Sequence, residues 1–345
     1  MFKIKNKIIN KNSPIYTIAE IGVNHNGSIG NAIKMINYAK EAGFNAVKFQ
    51  TFYTKEMLIK NTSLAKYQRK TRYKNMKDML DKYNLSYDEF EKLKKYCSKK
   101  NITFLSTPFD IRSAIFLNKI RVPAFKISSG DLNNFHLLSK IKQFKKPIIL
   151  STGMATKKDL IQTINFLKLS KQKLAILHCI SDYPTKIENT FLSNIKSLKK
   201  TGYTIGFSDH TVGDIVSCSA ITLGAKIIEK HITLNKNMKG PDHSSSLECK
   251  KLEDFIFKIK SINQSINSPE RTLTREELVT QKVAQKSLYF FKDLQKNHKI
   301  KFFDIIAMRP LKNGIQPKYY KSLIGKKLKK NVGKYTLVKE KYLKK

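Results

Sequence analysis

Two short apolar, β-like runs, 204–207 and 226–228, each end in an ionisable cluster: Ser208-Asp209-His210 and Glu229-Lys230-His231. The small apolar stretch 213–223 between them reads as a packed helix. Strand, helix and parallel strand make one βαβ unit. Such a unit sets His210 and His231 side by side at the carboxyl ends of neighbouring strands, where ligands gather in parallel α/β folds. Two imidazoles converging beside carboxylates suit a divalent metal. Asp209 and Glu229 are expected to orient an imidazole or a nearby water.

The same apolar-then-polar pattern recurs along the chain. Strand-like runs end in Glu20, in Lys48 and Gln50, in Ser106 and Thr107, in Lys126, Ser128 and Ser129, in Ser151 and Thr152, and in His178. A polar group beside a core is costly without a partner, so the recurrence marks a rim. Lys48 and Lys126 suit a phosphorylated or carboxylated anion, and Thr107, Ser129, Ser151 and Ser208 are hydroxyl donors for its oxygens. A single strand-end serine serves equally well as a helix cap, and a lone lysine as a snorkelling side chain. The weight therefore rests on the set. Glu20 suits proton or water handling in the same cavity, or pairing with a lysine. His25, in the loop after the first strand, is a weaker candidate; His178 reads as packed, and His136, His243 and His298 as structural. Arg309, in MRPLKNGIQP, suits a clamp on a carboxylate or hydroxyl delivered into a barrel mouth; otherwise it is a surface ion pair worth little.

The elements that must position these residues alternate. A β-branched run at 15–18 leads through a turn-rich loop, GVNHNGS, into helical spacing at 29–42 that stops at Gly43. A strand at 45–50 follows, then a charged, Tyr-rich insertion at 51–84 that predicts helical pieces over the mouth of the fold. Helices at 87–99, 111–118, 135–144, 157–167 and 191–198 then alternate with strands at 102–105, 124–127, 147–150 and 174–177. A helix at 252–266 closes the ring. Eight βα units over residues 1–267 predict an α/β fold, a (β/α)₈ TIM barrel. An open doubly wound sheet is the alternative, but no Gly-rich dinucleotide fingerprint follows the first strand. The charged stretch 268–282 reads as a linker, and 283–345 as a small β-rich domain.

The formal charge of +41 suggests a polyanion partner. The basic residues are almost all lysine and spread through every segment, whereas a nucleic-acid surface favours arginine. The expectation is therefore no nucleic-acid partner. A non-enzymatic polyanion-binding protein on a degenerate barrel remains the alternative reading. No apolar run reaches the length of a membrane span, and the basic start MFKIKNKIIN lacks a signal-peptide core. Four scattered cysteines argue against a disulfide framework. Together these predict a cytoplasmic protein with no membrane partner.

Over nearly the whole chain, ordered blocks carry a resemblance: AEIGVNHNGS, AVKFQTF, FLSTPFD, FKISSGD, ILSTGMAT, LHCISDYPT, IGFSDHT, IIEKHITL and GPDHSSSLE. They are similar to the signature blocks of bacterial sialic acid synthases, the N-acetylneuraminate and legionaminate group. The tail, KSLYFF…MRPLKNGIQP…YKSLIGK, resembles that family's antifreeze-like (SAF) domain. The resemblance implies condensation of phosphoenolpyruvate with an open-chain N-acylated amino-hexose, N-acetylmannosamine or a 2,4-diacetamido-trideoxy hexose. The products are a nine-carbon 2-keto acid and phosphate. It implies a divalent ion on His210 and His231, Mn²⁺ first with Mg²⁺ or Co²⁺ as substitutes. Lys48, Thr107, Lys126, Ser129, Ser151 and Ser208 match phosphoenolpyruvate-gripping positions; Gln50, Tyr183 and Asp242 match sugar contacts; Glu20 matches an active-site glutamate. EIGVNHNG and the Tyr67-Gln68 region favour the neuraminate or legionaminate branch over the pseudaminate one. A domain-swapped homodimer is implied, with Arg309 reaching the partner's sugar. The chain departs from the pattern at Ser181-Asp182, beside the sugar, and at Gln285, His298 and Met308 in the tail; His298 replaces a turn glycine and predicts a distorted turn.

Overall fold

The computed structural model describes residues 1–59, 61–71 and 73–344, with the backbone alone at Lys66, Tyr67 and Lys70. The chain divides into two compact units, Met1–Asn267 and Ser268–Lys345.

In the first unit eight parallel strands form a nearly closed barrel: β1 (Tyr16–Gly22), β2 (Ala46–Thr51), β3 (Thr103–Pro108), β4 (Phe125–Ile127), β5 (Ile148–Ser151), β6 (Leu174–Cys179), β7 (Thr204–Asp209) and β8 (Ile227–Thr233). Their order is β3-β2-β1-β8-β7-β6-β5-β4, so the last strand pairs with the first, as barrel closure requires. Several expected strands stop too early. β7 runs on through Asp209 and β8 through His231 to Thr233, because inward polar side chains find partners within the barrel and the backbone ladder continues beneath them.

The helices follow the apolar periodicity. Ile29–Ala42 buries Ala32, Met35, Ile36 and Ala39 against the outer face of the strands. Ser28 accepts from the Asn31 N–H at its start, and Gly43 at φ 92° ends it in the left-handed region that favours glycine. Lys157–Leu167 and Leu252–Ile266 have the expected bounds. The helix expected at 191–198 is shorter, Asn194–Lys199, because a turn with Phe191 at φ 45° precedes it. The insertion holds the helices Thr54–Met57 and Met76–Tyr83 around a small core of Val23, Phe52, Met79, Leu80 and Tyr83.

The opening residues, which read as a polar start, instead form an antiparallel hairpin, Phe2–Ile4 with Lys7–Ile9. Phe2, Ile4 and Ile9 pack into the barrel's interior core with Tyr16, Ile18, Leu105, Ile149, Leu177 and Ile227. The hairpin thus floors the barrel at the amino ends of its strands.

The second unit contains the antiparallel pair Ser287–Phe290 and Ile305–Met308 over a core that includes Leu288, Phe290, Leu294, Ile300, Leu328 and Val338. The stretch expected as a linker carries the helix Arg275–Ala284, nucleated by a capping box between Thr274 and Glu277. At His298, the preceding Asn297 takes the left-handed conformation at φ 71°, and His298 Nε2 meets Asp304 Oδ2 at 2.6 Å. All four cysteines are free. Among the described residues no helix is long and apolar enough to cross a membrane.

Candidate active site

Alternation along each strand builds the site. Side chains two residues apart share a face, and on most barrel strands the inward series turns from apolar to polar at one height. On β1 it reads Tyr16, Ile18, Glu20; on β2, Ala46, Lys48, Gln50; on β3, Leu105, Thr107; on β5, Ile149, Ser151; on β8, Ile227, Glu229, His231. The lower members belong to the floor core. The upper members line a cavity of about 360 Å³. The outward series is mostly apolar against the helices, as at Ala19, Val47, Phe104 and Ile228, with Asp209 and Lys230 as polar exceptions on β7 and β8.

Glu20, Lys48, Gln50, Thr107, Lys126, Ser129, Ser151, Ser181, Tyr183, Ser208, His210 and His231 all line this cavity. Asp242 lines a smaller adjoining pocket together with Gln50, Gln68, Tyr183 and His231. The structure therefore brings the barrel lysines, hydroxyls, Glu20, His210 and His231 of the sequence reading to one cavity, with Asp242 beside it, but not Asp209, His25 or His178. Arg309 is exposed in the second unit, just past the strand Ile305–Met308. Of the Tyr67-Gln68 pair, Gln68 lines the cavity; the Tyr67 side chain lies outside the described residues.

Two networks cross the cavity. Lys48 Nζ stands 2.6 Å from Glu20 Oε2 and donates to Thr107 Oγ1 at 3.1 Å. Lys48 meets Glu20 as a close ion pair, and among the described residues neither Glu20 oxygen accepts a hydrogen bond of good geometry. On the other side Lys126 Nζ donates to Ser151 Oγ at 2.6 Å and lies 3.6 Å from Glu229 Oε1. That same Glu229 oxygen accepts from Ser208 Oγ at 2.8 Å, and Glu229 Oε2 has no hydrogen-bond partner among the described residues. Glu229 joins the lysine network, and the Ser208 hydroxyl that donates to it also lies 3.4 Å from His210 Nε2.

Burial sets the protonation states. It pushes the Glu20 carboxyl up to about 7, with Glu229 adding to the rise and Lys48 opposing it. Burial works against the Lys48 charge, but Glu20 and Glu229 outweigh it and raise the amine above its ordinary value. Lys126 falls below its ordinary value through burial, resisted by Glu229. Glu229 moves down despite burial, because Lys126, Lys48 and the Ser208 hydroxyl favour its charged form.

The two imidazoles are neutral. Burial takes His210 down to about 4, and burial followed by the charges of His210 and Lys48 takes His231 well below its usual value. Their ring centroids are 5.5 Å apart, and the Tyr183 ring lies 4.1 Å from that of His210. His210 Nδ1 donates to the Ile180 carbonyl at 2.5 Å, which leaves the Nε2 lone pair available. His231 Nδ1 has no hydrogen-bond partner among the described residues and lies 3.9 Å from Asp242 Oδ2. Two neutral, buried nitrogen donors suit a borderline divalent cation that takes further oxygen ligands. Among the described residues no third His, Cys, Asp or Glu completes a protein-only cluster.

Asp209 corrects the expectation placed on it. One position out of phase with Ser208 and His210, it points away from the cavity and accepts from the Thr211 N–H, the Thr211 hydroxyl and the Ser217 hydroxyl. His25 is likewise no cavity residue; its Nδ1 accepts from the Gly27 N–H beside Phe49. His178 is held by the Thr190 carbonyl, and His243 by Thr233 and Asn26. Cys179 was missed. Its Sγ lies 3.0 Å from Ser129 Oγ and 3.1 Å from the Gly153 nitrogen, at the cavity wall. Its place in phase with Leu177 was the available signal. An added Cβ at Gly153 would collide with Ser181 and Ser129, so glycine is what lets these hydroxyls converge.

Comparison with known proteins agrees with this geometry. A family model described as the NeuB family matches residues 35–271. An N,N'-diacetyllegionaminic acid synthase of Campylobacter jejuni is 37% identical over 329 residues, 94% of this chain and 98% of that protein. An N-acetylneuraminate-9-phosphate synthase of Drosophila melanogaster is 33% identical over 350 residues, 92% of this chain and 93% of that protein. Among solved structures, an N-acetylneuraminic acid synthetase from Leptospira borgpetersenii superposes with a TM-score of 0.70 at 30% identity, covering 81% of this chain and 94% of that one.

Proposed function

The chain belongs to the NeuB family of phosphoenolpyruvate-dependent nonulosonic acid synthases, and on that premise we propose that it condenses phosphoenolpyruvate with a 2,4-diacetamido-trideoxy hexose to give a legionaminate-type 2-keto acid and phosphate. The observation that carries the reading is the meeting, at one height of the barrel, of two buried lysines, a ring of hydroxyls and two neutral imidazoles.

Lys48, Lys126, Thr107, Ser129, Ser151 and Ser208 would grip the carboxylate and phosphate of phosphoenolpyruvate, each donating to an anionic oxygen. His210 and His231 would hold the divalent ion, which when bound supplies Lewis acidity at the sugar aldehyde. The electron pair of the C2–C3 double bond of phosphoenolpyruvate bonds C3 to the aldehyde carbon, whose oxygen takes up a proton from solvent, and C2 is left electron-poor. Glu20 takes a proton from the water that adds at C2; its raised affinity for protons near neutrality fits that task. The tetrahedral carbon then expels phosphate and becomes the keto carbon.

The acceptor choice rests on the mouth of the cavity. Met57, Ala65, Met76, Leu80 and Phe109 line it, with Gln68 among them. Such a largely apolar wall favours the methyl groups of a deoxy, doubly acetylated sugar over the additional hydroxyls of N-acetylmannosamine. Gln50, Ser181, Tyr183 and Asp242 would contact the sugar's polar edge. Arg309 would come from a second copy, in a domain-swapped dimer.

The test is phosphate release with product mass spectrometry. Turnover should require phosphoenolpyruvate, Mn²⁺ and the diacetamido sugar together. A higher kcat/KM with N-acetylmannosamine would overturn the acceptor assignment, and no turnover with either sugar would overturn the reaction. For the dimer, mixing inactive Arg309→Ala with inactive Lys126→Met protein should restore activity, because one mixed site then holds both intact groups. Unrestored mixtures would remove the swap.

A further inference from the structure

The outward faces of β7 and β8 carry a second polar cluster, sealed between the strands and the helix Ile215–Thr222. Asp209 and Lys230 are register partners on adjacent strands, and both are 1% exposed. Lys230 Nζ lies 2.9 Å from Asp209 Oδ2 and donates to the Thr211 carbonyl at 2.6 Å. Asp209 Oδ1 accepts from the Thr211 N–H at 2.8 Å and from its hydroxyl at 2.7 Å, while Oδ2 accepts from Ser217 at 2.5 Å. A buried ion pair with every neighbour matched is a rigid object, since each broken contact strands a group away from water.

What the pair grips is the backbone around the two imidazoles. Asp209 and Thr211 flank His210, and Lys230 adjoins His231. Three contacts converge on Thr211: one from Lys230 to its carbonyl, two from its own N–H and hydroxyl to Asp209. We propose that Asp209 and Lys230 form a positioning clamp that fixes the separation and aim of His210 and His231, and thereby the affinity of the site for a divalent cation. This rests on the reading of those histidines as metal ligands. Neither clamp residue would touch the ion, so both are positioning residues.

Charge and position can be separated because the two mechanisms disagree in sign. Removing the Lys230 charge should tighten cation binding if the pair acts through its field, and loosen it if the pair acts by holding geometry. The experiment titrates Mn²⁺ alone into the full-length protein and reads free Mn²⁺ by electron paramagnetic resonance, with circular dichroism reporting the fold. Lys230→Met should weaken Mn²⁺ binding by about tenfold, the scale seen for outer-shell partners of metal ligands. The double variant Asp209→Asn/Lys230→Met leaves net charge unchanged and no unpaired charge buried, so it serves where the single variant fails to fold; it should weaken binding as much. Wild-type affinity in either folded variant, or tighter binding in Lys230→Met, would overturn the clamp. Unfolding of both would overturn it as well, since the pair would then hold the barrel as a whole. Wild-type protein that binds no Mn²⁺ would instead remove the ligand reading beneath it.

Discussion

The inner and outer faces of β7 and β8 carry nearly the same residue types with opposite consequences. Outside, Asp209, Lys230, Thr211 and Ser217 satisfy one another. Inside, Ser208, Glu229, His210 and His231 leave Glu229 Oε2 and His231 Nδ1 buried without hydrogen-bond partners among the described residues. Both faces pay the desolvation of buried polar groups. A completed network stiffens the fold, and an incomplete one keeps atoms ready for a ligand. Polar type and burial therefore do not distinguish structure from chemistry here; residual hydrogen-bonding capacity does.

Substitutions can break that contrast. The largest effect is expected outside: Asp209→Leu strands the Lys230 ammonium and should cost about 3–5 kcal/mol of stability, read by chemical denaturation. A loss under 1 kcal/mol would mean that the outer network is not the structural one. Inside, Lys126→Met should lower kcat/KM by ~10²–10³ while the protein stays folded; an equally large fall in stability with full activity would reverse the assignment of the two faces. Glu20→Gln should slow turnover by ~10² and flatten the pH profile. With Glu20 titrating at about 7, wild-type activity should rise through that pH as the carboxylate forms. The same shift has a stability consequence of known sign. The folded carboxyl holds its proton more tightly than the unfolded one, so its contribution is present below the unfolded value of 4.5 and is lost as pH rises through about 7. A stability slope that vanishes in Glu20→Gln would sharpen the point; an unchanged slope would assign it elsewhere. The smallest effect belongs to neither face. Ser28→Ala, at the cap of Ile29–Ala42, should cost about 1 kcal/mol and leave turnover alone.

Much of the barrel was legible because local signals agree. Ser28 and Gly43 bracket the helix Ile29–Ala42, and Thr156 caps Lys157–Leu167, so periodicity and capping give the same ends. The barrel positions of the candidate site were legible too, since polar residues repeatedly follow apolar runs. What escaped has physical reasons. The three-residue strands of the opening hairpin are too short to show an alternation, and tertiary packing of Phe2 and Ile4 into the barrel makes them strands. The Thr274–Glu277 capping box was hidden in a charged stretch that read as linker. Asp209 was assigned to the cavity because β7 was taken to end at Phe207; with the strand continuing, the two-residue alternation turns Asp209 outward.

The hairpin floor carries one more consequence. With Phe2, Ile4 and Ile9 plugging its base, the chamber is a cul-de-sac, not a tunnel. Among the described residues the hairpin end offers no exit, so a ligand reaches Lys126 and Ser151 from the side of the strands' carboxyl ends.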